Sequence, residues 1–162
     1  MRGDAPALVI GGTGMLAAAT RWLAARSAGT VLVARRASAF DMAGAAAVDA
    51  DWSDPGFRPR VEAALDAAPS VGRALLWLHE PAPVLPWLLP RLAAARVVLV
   101  LGSLDGDPLV PATAGEVVTV RLGSIAVPGG RRWLTHAEIS TAAVAALEDG
   151  RSRQVGEPVP AG

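Results

Sequence analysis

Gly11, Gly14 and Ala17 recur at three-residue spacing in VIGGTGMLA, where the apolar run ALVI opens into an alanine-rich segment. A strand that turns into a helix through such residues is suited to hold a pyrophosphate. Gly11 lets the chain turn, and Gly14 lets backbone amides approach phosphate oxygens at the positive end of the helix. Ala17 lets that helix pack closely on the strand. Thr13, Met15 and Leu16 share the turn and are its other candidate contacts. The alternative reading is a tight turn that holds nothing.

The residue that selects the ribose is expected about 20 positions further on. The sequence there is VLVARRAS, with Arg35 and Arg36 where an NAD site has a carboxylate. Guanidinium groups suit a 2′-phosphate, which accepts forked, charge-assisted hydrogen bonds, so the expected cofactor is NADP. In VDADWSD, Asp51 rather than Asp49 is expected to accept from the adenine amino group, and Trp52 to cover a ring face. Asp54, ahead of Pro55, reads as a helix N-cap.

A nicotinamide brings its own hydride, so the chain need only position a small-molecule substrate and handle one proton. Three residues are candidates for that catalytic work: Ser103 just past the fifth strand, His79 at the end of the fourth, and His136. Ser103 and His79 should face one crevice at the carboxyl ends of the strands. Leu78, Gly102 and Leu122, at neighbouring strand ends, are expected to touch the cofactor. Each has a plainer reading, Ser103 as a turn residue and His79 as a structural histidine. Glu80 either orients the His79 ring or lies on the surface. Thr135 and Glu138 form a T-x-x-E capping box, which puts His136 in the first helical turn. Arg131, Arg132 and Trp133 are its expected neighbours, the two arginines as a clamp for a carboxylate or phosphate or as a solvated loop.

The elements that must position these residues follow from the apolar pattern. Strands are expected at 7–10, 30–34, 46–48, 74–78, 97–101 and 117–122, with a weak one at 154–155. Most lack polar alternation, as in a parallel sheet covered on both faces. Helices are expected at 15–27, 58–67, 84–95 and 136–147, with Pro90 kinking the third. The alternation predicts one α/β domain over 1–155, a Rossmann-like three-layer sandwich on a mostly parallel sheet of order 3-2-1-4-5-6, with a seventh edge strand. Residues 156–162 read as a flexible tail. Residues 102–116 join two strands without a helical pattern, although a parallel crossover normally carries a helix.

Composition narrows the chemistry further. The 162 residues carry 15 basic and 15 acidic side chains and no cysteine, so neither nucleic acid nor a membrane surface is expected as a partner. All 15 basic residues are arginine, and there is no tyrosine. No phenol or lysine ammonium is available. Two histidines at unrelated positions give no metal site, and no GxSxG elbow occurs. MRGDAP does not read as a signal peptide, so the expected location is the cytoplasm.

These residues together resemble the short-chain dehydrogenase/reductase superfamily, in an atypical and shortened form. IGGTGMLA resembles its TGxxGxxG turn, LVARR its NADP-type second strand and DWSD its adenine-contacting DVTD. VVLVLGS resembles the fifth strand ending at the family's serine, and RLGSIAVPGGRRWLTHAEIS the segment near the nicotinamide. The family's YxxxK motif, and the helix that bears it, are missing here, and LHEP stands in place of NNAG. The resemblance implies fold and cofactor without the usual catalytic pair. Two functions follow: an NADP-dependent oxidoreductase that reduces a small carbonyl or imine, or a non-catalytic nucleotide-binding module such as a redox sensor or accessory subunit. A homo-oligomer is left open, because typical members associate through the helix this chain lacks.

Overall fold

The structure, a computed structural model, describes residues 4–111 and 114–158. Seven strands form one parallel sheet: β1 (Ala7–Ile10), β2 (Thr30–Ala34), β3 (Ala45–Asp49), β4 (Arg73–Trp77), β5 (Arg96–Leu101), β6 (Glu116–Leu122) and, at the far edge, Arg153–Val155. The spatial order is β3-β2-β1-β4-β5-β6 followed by that edge strand, as the alternating pattern predicted. Between β6 and the last helix lie two further strands, β7 (Ser124–Val127) and β8 (Gly130–Trp133), so the edge strand is β9.

Beyond the first residues Thr30, Arg73 and Arg96, the central strands are apolar because both faces are covered. Leu8, Val31, Leu76 and Leu99 point to one face, under α2 (Phe57–Ala67) and α3 (Leu85–Leu88). Val9, Leu32, Leu75 and Val98 point to the other, under α1 (Ala17–Ala25) and α4 (His136–Asp149). Beyond those first residues, period-2 alternation sorts the core into two layers with no polar residue in the run.

Pro90 does more than kink the third helix. The α-helical part ends at Leu88 and Leu89–Leu92 continue as a 3₁₀ turn, since proline offers no amide to the helical ladder. α1 begins at Ala17, two residues later than expected, which leaves Met15 and Leu16 in the turn. Among the described residues between β5 and β6 there is no helix. Arg121 ties this segment down instead. Its guanidinium donates to the carbonyls of Gly102 (3.1 Å) and Asp105 (2.5 Å) and to Asp107 Oδ1 (2.9 Å).

The antiparallel β7–β8 hairpin was not expected from the sequence. Its signal was present in Val127-Pro128-Gly129-Gly130, where proline fixes one central residue and Gly129 takes φ +83°. Gly156–Pro158, read as the start of a loose tail, are held in part. Glu157 N–H donates to Ser124 O at 2.7 Å, and Ser124 N–H donates back at 2.9 Å. Residues 159–162 lie outside the described residues.

Candidate active site

The glycine turn is built from the backbone outward. Gly11 has φ +76°, and a Cβ there would lie 2.4 Å from the carbonyl oxygen of Trp77. Gly12 is equally confined, with Thr20 Oγ1 and Val9 each 2.3 Å from a hypothetical Cβ. The Thr20 hydroxyl, buried beneath the turn, donates to Gly12 O at 2.8 Å. Gly14 differs. A Cβ there would meet nothing within 4 Å, so its missing side chain keeps open the space ahead of α1. Open space over a glycine at a helix N-terminus fits a pyrophosphate.

Ser140, on α4, was not picked out from sequence. It is buried, donates to Met15 O at 3.1 Å and accepts from Ala19 N–H at 3.3 Å. A residue 125 positions away thus pins the glycine turn. Leu16, expected to touch the cofactor, is fully buried in the core.

Two cavities flank the turn. The first, about 540 Å³, lies beyond the ends of β1–β4 and includes Thr13, Arg35, Arg36, Asp51, Trp52 and His79 in its wall. Leu78 also lines it. Asp51 Oδ1 accepts from Ser53 N–H (3.1 Å) and the Ser53 hydroxyl (2.9 Å). Those bonds, with smaller contributions from the Arg35 and His79 charges, hold its carboxyl below the usual carboxylate range. Asp49 has both oxygens taken by Ser38 (2.8 and 2.6 Å), which leaves Asp51 as the acid facing the cavity. The Trp52 indole stacks on the His79 ring with centroids 5.1 Å apart and planes 27° from parallel.

The second cavity, about 440 Å³, opens between the end of β5, β8 and the start of α4. Met15, Trp77, Leu122 and Leu134 supply its apolar wall, and Gly102, Ser103 and His136 its polar edge. His79 must therefore be moved from the crevice expected for it. It lies in the first cavity, away from Ser103 and His136, because β4 ends at Trp77 and the next residues turn toward Trp52. Trp77 lines both cavities and divides them. It went unnoticed in the sequence, although an indole at a strand's carboxyl end was a usable signal. Trp133, expected as a neighbour of His136, lines the second cavity with it, and so does Asp105, which had not been assigned there.

The capping box on α4 forms as the spacing requires. Thr135 Oγ1 accepts from Glu138 N–H at 3.1 Å, and Glu138 Oε1 accepts from Thr135 N–H at 2.9 Å. The Arg132 guanidinium beside it (2.8 Å), with the Thr135 bonds, draws the Glu138 carboxyl down to about 2. Arg131 serves the hairpin, donating to Ser124 Oγ (2.6 Å) and Glu157 Oε2 (3.1 Å). Asp54 is not the cap of α2. Gly56 holds that position, and Asp54 contributes only its carbonyl, to Phe57 N–H at 2.9 Å. Among the described residues no His, Asp and Glu cluster could hold a metal, and no helix is long and apolar enough to cross a membrane.

This arrangement has counterparts of known structure. An NADH-dependent reductase A1-R′, solved with NAD, superposes with a TM-score of 0.66 at 15% identity, over 99% of this chain and 100% of that one. A 3-ketoacyl-(acyl-carrier-protein) reductase from Brucella melitensis, solved with NADH, gives 0.63 at 18% identity, over 96% and 98%. A short-chain dehydrogenase/reductase family oxidoreductase from Brucella ovis gives 0.58 at 10% identity, over 94% and 100%. The chain has the short-chain reductase fold. No family model matches the sequence, and neither does any curated protein.

Proposed function

We propose that this chain is an NADP-dependent reductase of a small carbonyl or imine substrate, working in the cytoplasm without a tyrosine–lysine pair. The observation that carries this reading is the pair of cavities that meet at Trp77 on either side of the glycine turn. One is lined by two arginines and an aromatic stack, as an adenosine 2′-phosphate would require. The other is apolar with a serine and a histidine at its edge, as a nicotinamide and a small substrate would require. The reductases of the same fold, two solved with NAD or NADH, support a nicotinamide cofactor in general. Arg35 and Arg36 support NADP in particular.

A bound nicotinamide would supply hydride. The chain's own contribution is positional. Met15, Trp77 and Leu122 exclude water from the reacting face, Ser103 holds a substrate carbonyl or imine, and His136 donates the proton a carbonyl needs. His79 is assigned instead to the nucleotide end, as the base of the Trp52 stack. A second reading, a non-catalytic NADP-binding module, draws on the missing helix between β5 and β6.

Calorimetry with NADPH and NADH, followed by NADPH oxidation against small aldehydes, ketones and imines, tests both. NADPH should bind about ten- to a hundredfold more tightly than NADH, and Arg36→Ala should remove most of that preference. Equal affinities would end the NADP assignment. Tight NADPH binding without turnover on any substrate would favour the module.

A further inference from the structure

The second cavity carries a charge that the proposed reaction does not use. Asp105 lies in its wall, half-buried, and the Trp77 and Trp133 indoles line the same cavity. Its Oδ2 accepts from Gly102 N–H at 2.6 Å, and its own N–H donates back to Gly102 O at 3.2 Å, so a closed turn fixes the carboxylate. Arg121 holds the same turn, but through the carbonyls of Gly102 and Asp105 and through Asp107. Among the described residues no cation pairs with the Asp105 carboxylate. No arginine lines this cavity, and His136 is its other ionisable residue.

A carboxylate with no ion-pair partner among the described residues, in a mainly apolar cavity that two indoles also line, favours a cation. The carboxylate supplies Coulomb attraction and the indole faces attract positive charge through their quadrupoles. The same wall penalises anions and gives neutral carbonyls no advantage. We infer that the cavity bounded by Asp105, Trp77 and Trp133 takes a positively charged substrate, a cyclic or N-alkylated iminium ion. This rests on the reductase reading and narrows it from carbonyl or imine to the charged imine.

The chemistry balances without a protein acid. Hydride transfer forms the C–H bond at the iminium carbon, breaks the C–H bond of the reduced nicotinamide and moves the C=N π pair onto nitrogen. The substrate is reduced to a neutral amine, tertiary where the iminium nitrogen bears no hydrogen. The nicotinamide is oxidised and takes over the positive charge. No proton moves, and the total charge facing Asp105 is the same before and after. A cavity that lacks the tyrosine–lysine pair loses nothing for this reaction.

The test uses two probes of the same bicyclic shape, an N-methyl dihydroisoquinolinium ion and the neutral ketone tetralone. Binding to the full chain is followed by calorimetry and by quenching of tryptophan fluorescence, at about pH 8, where an ordinary histidine is uncharged. The iminium should bind at least about tenfold more tightly than tetralone. Asp105→Asn keeps the acceptor for Gly102 N–H but removes the charge. It should cost the iminium about tenfold and leave tetralone unchanged. Equal affinities for the two probes, no binding of either, or an iminium affinity untouched by Asp105→Asn would overturn the inference. NADPH affinity and turnover are measured on the same samples. A cation preference in a protein that does not oxidise NADPH would uphold the cation site but overturn the reductase reading, and with it the cation's role as substrate, so the two failures are distinct.

Discussion

The two cavities on either side of Trp77 differ in the chemistry of their walls and in how the chain assembles them. The nucleotide-side cavity is basic, with Arg35 and Arg36 at the end of β2, and comes from segments within the first 79 residues. Its wall joins the carboxyl ends of β1, β2, β3 and β4 with Phe57 of α2. The reaction-side cavity is apolar, carries a carboxylate in place of arginine, and draws on Met15, Asp105, Trp133 and His136, which come from opposite halves of the chain. The first needs only the first four strands of the sheet and the segments that follow them. The second exists only when the β7–β8 hairpin, the segment after β5 and α4 are packed together.

This contrast predicts where damage spreads. Gly14→Val should abolish NADPH binding while circular dichroism and Tm stay close to wild type, because its side chain enters open space rather than the core. Gly11→Ala should damage both cavities and the fold, since its Cβ strikes the Trp77 carbonyl and its φ is positive. If Gly14→Val binds NADPH as wild type does, the glycine turn does not hold a nucleotide.

The two histidines should separate the cavities in a crossed experiment. His136→Ala should lower turnover of a ketone by about 10²–10⁴-fold and leave NADPH affinity unchanged. Turnover of an iminium substrate should survive it. His79→Ala should leave turnover at saturating cofactor intact and weaken NADPH by roughly two- to tenfold, through loss of the stack beneath Trp52. The reverse pattern would return His79 to the reaction-side cavity.

The smallest effect concerns the cap on the helix that bears His136. Arg132 and the Thr135 bonds lower the Glu138 carboxyl from 4.5 to about 2 in the folded chain. A depressed folded value means stability that is complete above about pH 4.5 and lost as the pH falls toward about 2. The Tm advantage of wild type over Glu138→Gln should therefore be constant near neutrality and shrink across that acidic window. An advantage that persists at the lowest pH would rule out the ionised carboxylate as its source.

Read from sequence alone, the parallel sheet, its strand order, the glycine turn, the Arg35–Arg36 pair and the Thr135–Glu138 cap were all legible. Each rests on short-range physics. Both-faced apolar runs mark covered strands, a strand-turn-helix through Gly11 and Gly14 marks a phosphate turn, and a capping box needs only its own four residues. The absence of tyrosine and lysine was also decided there, and with it the loss of the usual acid.

Tertiary packing decided the rest. The course of the chain after Trp77 decides which cavity His79 joins, because it carries the imidazole onto the Trp52 indole. Trp77 became the dividing wall only when β1, β4 and the glycine turn met. Ser140 reached Met15 only through the packing of α4 on α1. Asp105 came to face the cavity without a cation because Arg121, on a neighbouring strand, took the carbonyls and Asp107 instead. Local dihedral and periodicity signals fix the elements. The composition of a cavity depends on contacts between residues far apart in the chain, and the packed fold alone supplies those.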